Sequence, residues 1–216
     1  VNFADQQQCV LAVGHVERFN PVLECIDAIP GPTRYIEAHR LAPYPPGREG
    51  APPRGTEVSV VHDLMIHDID VVLDLVGDNV SRIEGIGVPV LSKTEDIANV
   101  RLVFENGCVA NLTASRVSPE RMRKIRLFKE NAYLSLDYQS QEGEMAYIQS
   151  GQIVRNPVPV RERNALQEEL EDFCRCVMEG RERDAQPQPR VSGRDGLAAL
   201  KVAETITRTI AESKGT

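Results

Sequence analysis

Beyond Gly77 the chain changes texture, and that change limits its fold more than any other feature. From about residue 80 to 155, apolar and polar residues alternate with a period of two. Turn signals interrupt them at Glu105-Asn106-Gly107, Glu130-Asn131 and Ser150-Gly151. Such alternation belongs to strands with one face on a core and the other in water. The strand candidates are 80–90, 97–104, 108–117, 122–129, 132–138 and 144–149. Asn106-Gly107, set between two apolar runs, is the strongest hairpin signal, because the two-residue hairpin turn needs positive φ at both central positions. Short loops between strands predict an antiparallel meander.

The flanks are of another kind. Residues 8–14 form a short continuous apolar run ending at Gly14, which predicts a buried parallel strand. A helical pattern covers 21–29 with Asn20 as N-cap, and 34–41 alternates as a strand. Residues 42–55 hold five prolines and three glycines and predict an ordered loop or flap. The most apolar helix candidate is 58–76. Two more helices follow at 163–179 and 192–213, the second opened by Ser192 and Asp195. The expected class is α+β: an open, mainly antiparallel six-stranded sheet with helices packed on one face. The leading strand has no parallel neighbour in this sequence and reads as the tail of another domain. The chain opens on Val1 with no initiator Met and no signal pattern, which suggests a cut from something longer.

Composition removes several classes of function. At 216 residues and 24.0 kDa the chain can bury its own core without disulfide or metal staples. Lys plus Arg number 25 against 32 Asp plus Glu, a net charge of −7 that argues against nucleic acid as partner. No apolar run approaches the ~20 residues of a bilayer span, so no membrane partner is expected. Five cysteines without a C-x-x-C pair indicate neither a disulfide framework nor a zinc knuckle, and free thiols fit a reducing cytoplasm.

The candidate chemistry lies on the 58–76 helix. At about 100° per residue, Asp63, His67, Asp70 and Asp74 share one narrow stripe, and most of the remaining circumference is Val, Leu, Ile and Met. His62 and Asp68 fall off the stripe. A solvated helix face is one reading, although it would ordinarily carry Lys, Arg and Glu. The other is a cleft wall in which Asp63 orients His67 for proton transfer. No second histidine joins the stripe, so no metal site is expected.

Two motifs together resemble a known family. Val13-Gly14-His15-Val16-Glu17-Arg18-Phe19-Asn20-Pro21 is similar to the V-G-x-x-x-R-F-x-P junction of the Gfo/Idh/MocA oxidoreductases. Asp63-Leu64-Met65-Ile66-His67-Asp68-Ile69-Asp70 resembles that family's D-x-x-x-H-x-x-D helix. Glu37–Leu41 and Asn111–Arg116 look closest to its nucleotide-sugar 3-dehydrogenase-like members. The family pairs an N-terminal Rossmann domain, which binds NAD or NADP, with a C-terminal domain for substrate and oligomerisation. Neither the G-x-G-x-x-G fingerprint nor the E-K-P segment with its catalytic lysine occurs here, and Gly85-x-Gly87 sits in a strand region. The resemblance therefore implies that about a hundred upstream residues are missing, enough for one such domain. Residues 1–14 would be its remnant, ending in the last Rossmann strand, and 15–216 the substrate and oligomerisation domain.

Carried over by position, the resemblance implies His67 as catalytic acid/base, with Asp63 as its partner or a substrate ligand. Arg18, Phe19 and His15 would lie near the cofactor, His15 either facing the cleft or capping the strand. Asn20, Arg40, Asp70 and Arg116 would meet substrate. The two arginines suit an oxyanion, or are simply salt-bridged in their strands. The implied reaction is hydride transfer between NAD or NADP and a hydroxyl carbon of a sugar or nucleotide-sugar, in a homodimer or homotetramer. The alternative is a non-catalytic module that self-associates through its sheet.

Overall fold

The computed structural model describes residues 1–183 and 187–213. Its centre is a single eight-stranded sheet of order β2-β3-β4-β1-β5-β6-β7-β8. The strands are β1 Thr33–Leu41, β2 Val80–Val88, β3 Ile97–Phe104, β4 Val109–Ser115, β5 Met122–Lys129, β6 Ala132–Asp137, β7 Glu142–Gln149 and β8 Gln152–Pro157. The helices are α1 Asn2–Gln6, α2 Ile66–Val76, α3 Ala165–Arg183 and α4 Gly193–Ser213. The α+β class and the six expected strands are present.

The sheet differs from expectation in three ways. β1 enters its middle, antiparallel to β5 but parallel to β4, pairing Tyr35 with Val109 and Leu41 with Ser115. The sheet is therefore mixed, and the meander is split around its first strand. β8 extends it past Gly151, where Ser150 and Gly151 both take positive φ. The expected strand at 8–14 is absent: Ala12 makes one isolated bridge to Ser192, and Val13 N–H donates to the Val191 carbonyl at 3.2 Å. This segment lies against the start of α4. A Cβ at Gly193 would come within 2.4 Å of Leu11, and one at Gly196 within 2.5 Å of Val13.

One face of the sheet carries the core. Ile36, Ala38, Val100, Leu102, Leu112, Ile125, Leu127, Leu134 and Leu136 alternate inward, where Val61, Met65, Ile69 and Val72 meet Ala203, Ile206 and Ile210. Gly85 and Gly87 bring α4 onto β2: a Cβ on Gly87 would lie 2.9 Å from Ile210. The Gly-x-Gly pair thus serves close packing. Both terminal helices are capped, the second by the expected Ser192 and Asp195. Asn164 Oδ1 accepts from the amides of Leu166 and Gln167, and Ser192 and Asp195 form a reciprocal box. The 21–29 helix is a short 3-10 turn, Pro21–Ile26, capped by Asn20, and a second such turn, Val16–Phe19, precedes it. All five cysteines are free.

The other face is open and mixed in character: Ile86 and Val88 of β2 and Phe128 of β5 stand exposed on it among polar side chains. Asn99 donates to Thr113, Arg101 to Asn111, Asn111 to the Tyr35 hydroxyl and Arg126 to Glu37 across neighbouring strands. Tyr35, Phe128 and Tyr133 form an aromatic cluster among them.

Candidate functional site

The expected helix 58–76 is two structures in series. Val61–Met65 is a π turn, and the α-helix proper begins at Ile66. A π turn carries an extra residue, so positions before and after it do not keep one helical phase. Asp63 consequently does not sit on His67. Its carboxylate lies under Gly55 of the proline-rich loop, where a Cβ would come within 2.5 Å of Oδ2. The expected Asp63–His67 pair is not formed.

His67 is half-buried and faces a different set of groups. Its Nδ1 lies 3.4 Å from Nδ1 of His15, the rings meeting edge to face at 81° with centroids 5.4 Å apart. Burial first, then the Arg40 cation, push the His67 imidazole below its ordinary value, and Asp68 and Glu17 only partly oppose them. Neighbouring carboxylates raise an imidazole pKa, and here burial and the cation outweigh them. His15, 4% exposed, is pulled down to about 4 by burial, by His67 and by Arg18. Both rings are neutral near pH 7.

Beneath them lies a buried ionic cluster. Arg40 points inward from β1 and grips Asp68 with two bonds, Nε to Oδ2 at 2.8 Å and Nη2 to Oδ1 at 2.9 Å, while Nη1 reaches Glu17 at 3.2 Å. Burial alone would lower the Arg40 pKa, and the facing carboxylates more than reverse that. Asn20 bonds Glu17 and the Tyr138 carbonyl through Nδ2 and caps Val22 through Oδ1. Glu17 and Asp68 are the participants that pattern reading missed. A signal was present: Ile36, Ala38 and Arg40 alternate inward, and an inward arginine requires buried carboxylates. Asp68 stands three residues from Met65 and four from Val72, on the helix face that meets the sheet.

The remaining expected site residues are placed as follows. Arg18 is a strut between the first 3-10 turn and α2, 2.8 Å from Asp74 and 3.5 Å from Asp70. Asp70 is 1% exposed with Oδ2 unpartnered, and burial, opposed by Arg18, raises it to about 7. A cavity of about 630 Å³ opens beside them, lined among others by Arg18, Asp70, Asp74, Asp195 and Lys201. Phe19 is buried beneath the Arg190 guanidinium. Arg116, expected to meet substrate, is fully engaged inside. Nε bonds Asp96, Nη1 the carbonyls of Gly55 and Val58, and Nη2 the Thr94 hydroxyl, all at 2.7–2.9 Å. It pins the proline-rich loop to the sheet. Arg40 and Asn20 are likewise spent on internal partners and do not present themselves to a ligand. Among the described residues no group of three or more His, Cys, Asp or Glu could hold a metal ion.

A mixed eight-stranded sheet with helices on one face, burying an Arg–carboxylate cluster beneath two histidines, defines an α+β domain. Comparison with known proteins identifies the family. The GFO/IDH/MocA C-terminal domain matches residues 30–135, and the chain belongs to the Gfo/Idh/MocA family through that domain. Among curated proteins it is 34% identical over 184 residues to a UDP-N-acetylglucosamine 3-dehydrogenase of Acidithiobacillus ferrooxidans, covering 82% of this chain and 56% of that one. The solved structure of that enzyme superposes with a TM-score of 0.86 at 30% identity, over 97% of this chain and 65% of the other. Levoglucosan dehydrogenase, solved with NADH and levoglucosan, shares the fold at 16% identity, with a TM-score of 0.81 over 98% and 66% of the two chains. The chain thus spans roughly three-fifths of the length of the UDP-N-acetylglucosamine 3-dehydrogenase it matches.

The residues expected to meet a nicotinamide cofactor do not form a cradle for one. Arg18 is ion-paired, Phe19 is covered and His15 faces His67. The chain holds no G-x-G-x-x-G turn to offer backbone amides to a pyrophosphate. The described residues do not fit the dinucleotide. Among them no helix is long and apolar enough to cross a membrane.

Proposed function

We propose that this chain is the substrate-handling part of an oxidoreductase acting on a hydroxyl group of a sugar or nucleotide-sugar, with NAD or NADP held by a domain outside residues 15–216. The observation that carries the reading is the placement of His67. It is a neutral, half-buried imidazole at the N-terminal end of α2, backed by a buried cluster that cannot rearrange cheaply. The relationship to a nucleotide-sugar 3-dehydrogenase at 34% identity supports the substrate class.

In this reading His67 takes the hydroxyl proton of the substrate, a task suited to an imidazole that is unprotonated at neutral pH. Asp63 is half-buried, and its carboxylate has no hydrogen-bond or ion-pair partner among the described residues, which leaves it able to accept from a second substrate hydroxyl. The Arg40–Asp68–Glu17 cluster fixes the helix on which His67 stands. The proline-rich loop, pinned by Arg116, covers Asp63 and shapes that side of the site.

The test is turnover of UDP-N-acetylglucosamine with NAD⁺ or NADP⁺ by the full-length protein, followed by NAD(P)H absorbance. His67→Ala should lower kcat by about 10²–10⁴, the usual worth of a positioned general base. The circular dichroism spectrum should stay unchanged. Near-normal turnover in that variant would remove His67 from the mechanism.

A further inference from the structure

We propose that His15 is a positioning residue that fixes the tautomer of His67, holding a proton on its Nδ1 so that Nε2 is left bare toward the substrate. The proposal rests on the reading of His67 as the group that takes the hydroxyl proton. It assigns to His15 the orienting role that the sequence pattern gave to Asp63.

The geometry carries it. The two rings approach Nδ1 to Nδ1, at 3.4 Å and edge to face. A neutral imidazole has one nitrogen that donates and one that accepts. Two neutral rings meeting through like nitrogens cannot share a tautomer. If both carried their proton on Nε2, two lone pairs would face each other; if both carried it on Nδ1, two N–H groups would. One ring is therefore the Nδ1–H form and the other the Nε2–H form. Burial is the largest influence on each ring and favours the neutral pair. On His15 it is joined by His67 and Arg18 and opposed by Asp195; on His67 it is joined by Arg40 and Arg123 and opposed by Asp68 and Glu17.

The chemistry selects which ring donates. A base that takes a hydroxyl proton on Nε2 must keep its own proton on Nδ1, where His15 Nδ1 accepts it. His15 then carries its proton on Nε2. As the substrate O–H bond breaks, its electron pair stays on oxygen and the proton moves to His67 Nε2. The imidazolium so formed still has an acceptor for its Nδ1–H. His15 is held for this task by backbone: its N–H donates to the Val13 carbonyl at 2.8 Å, its carbonyl accepts from Arg18 N–H at 3.0 Å, and Val13 is tied to Val191.

The chain has four histidines, so ¹⁵N imidazole spectra of this 216-residue chain at neutral pH can be assigned using His15→Phe and His67→Phe. The expected result is His67 as Nδ1–H and His15 as Nε2–H. Finding both rings as Nε2–H, or the reverse pairing, overturns the proposal. In the full-length protein His15→Phe should lower kcat about 10²-fold, with KM within roughly threefold. His15→Asn, whose carboxamide oxygen accepts an N–H, should restore at least tenfold of that loss along with the Nδ1–H signal of His67. A His15→Asn variant as slow as His15→Phe, despite a restored signal, also overturns it. If His67→Ala keeps its turnover while the wild-type spectra show the expected pair, the functional reading fails. If His67→Ala is inactive but the pair is absent, this inference alone fails.

Discussion

Single side chains at the site carry opposing pH dependences. Asp70, buried with one oxygen unpartnered, holds its proton up to about pH 7 against an ordinary value of 3.8. The folded state therefore binds more protons than the unfolded chain between those values, and stability falls as pH rises through that window. His15 works the other way. Lowered from 6.5 to about 4, it leaves the unfolded chain with more protons in that range, so stability rises with pH there. From about pH 4 to 6.5 the two slopes oppose each other. Denaturant titrations across that range should show stability rising with pH in Asp70→Asn and falling in His15→Phe. Equal pH profiles for the two variants would contradict the assignment. Arg40 predicts a third effect. Arg40→Met strands Asp68 and Glu17 in the core and should cost about 3–5 kcal/mol. The double variant Arg40→Met, Asp68→Leu should recover part of that loss, because it removes one of the two orphaned carboxylates and leaves Glu17 with Asn20 and Arg123. A double variant no more stable than the single one would show that the pair is not what the site depends on.

At the scale of elements, what was legible in the sequence followed from local rules, and what was not depended on distant partners. The strands from Val80 to Gln149 announced themselves by alternation and turns, and α4 by its Ser192–Asp195 box. β1 was legible as a strand but not as the centre of the sheet, because its partner β4 lies some seventy residues away and no turn connects them. β8 ends at Pro157 on an open edge, so its short alternation carries little core signal. The π turn at Val61–Met65 was invisible to a uniform 100° rule, which is why Asp63 was paired with His67 and Asp68 was set aside. His15 and His67 are 52 residues apart, and only the fold brings them together. The Gly85–Gly87 strand gives an element-scale prediction. Gly87→Val would drive side-chain atoms into Ile210 and Glu95, separating α4 from β2. Overpacking of this kind costs roughly 1–3 kcal/mol. Thermal melting should show that loss, and Gly107→Ala, a variant with open space around its Cβ, should not separate α4 from the sheet in hydrogen exchange.

At the scale of the whole molecule, the helix layer closes one face of the sheet and leaves the other to be explained. That face is a lattice of cross-strand hydrogen bonds around the Tyr35–Phe128–Tyr133 aromatics, flanked by Arg126, Glu37 and Arg101. Rings and arginines in a polar setting characterise the core of a protein–protein interface more than a solvent surface, which favours Lys and Glu. The patch carries both signs of charge, so a two-fold axis through it can set Arg126 of one copy near Glu37 of the other. We therefore propose a second copy of this chain as its occupant, in a homodimer or a homotetramer built from such pairs. Phe128 is the test residue: it is 36% exposed, meets Tyr35 edge-on and Tyr133 at a tilt, and faces away from the core. Sedimentation should give a dimer or tetramer for the wild-type chain and a monomer for Phe128→Glu, with unchanged circular dichroism, since burying an unpaired carboxylate at the centre of an interface opposes association. A wild-type chain that sediments as a monomer at high micromolar concentration would leave the open face without this role.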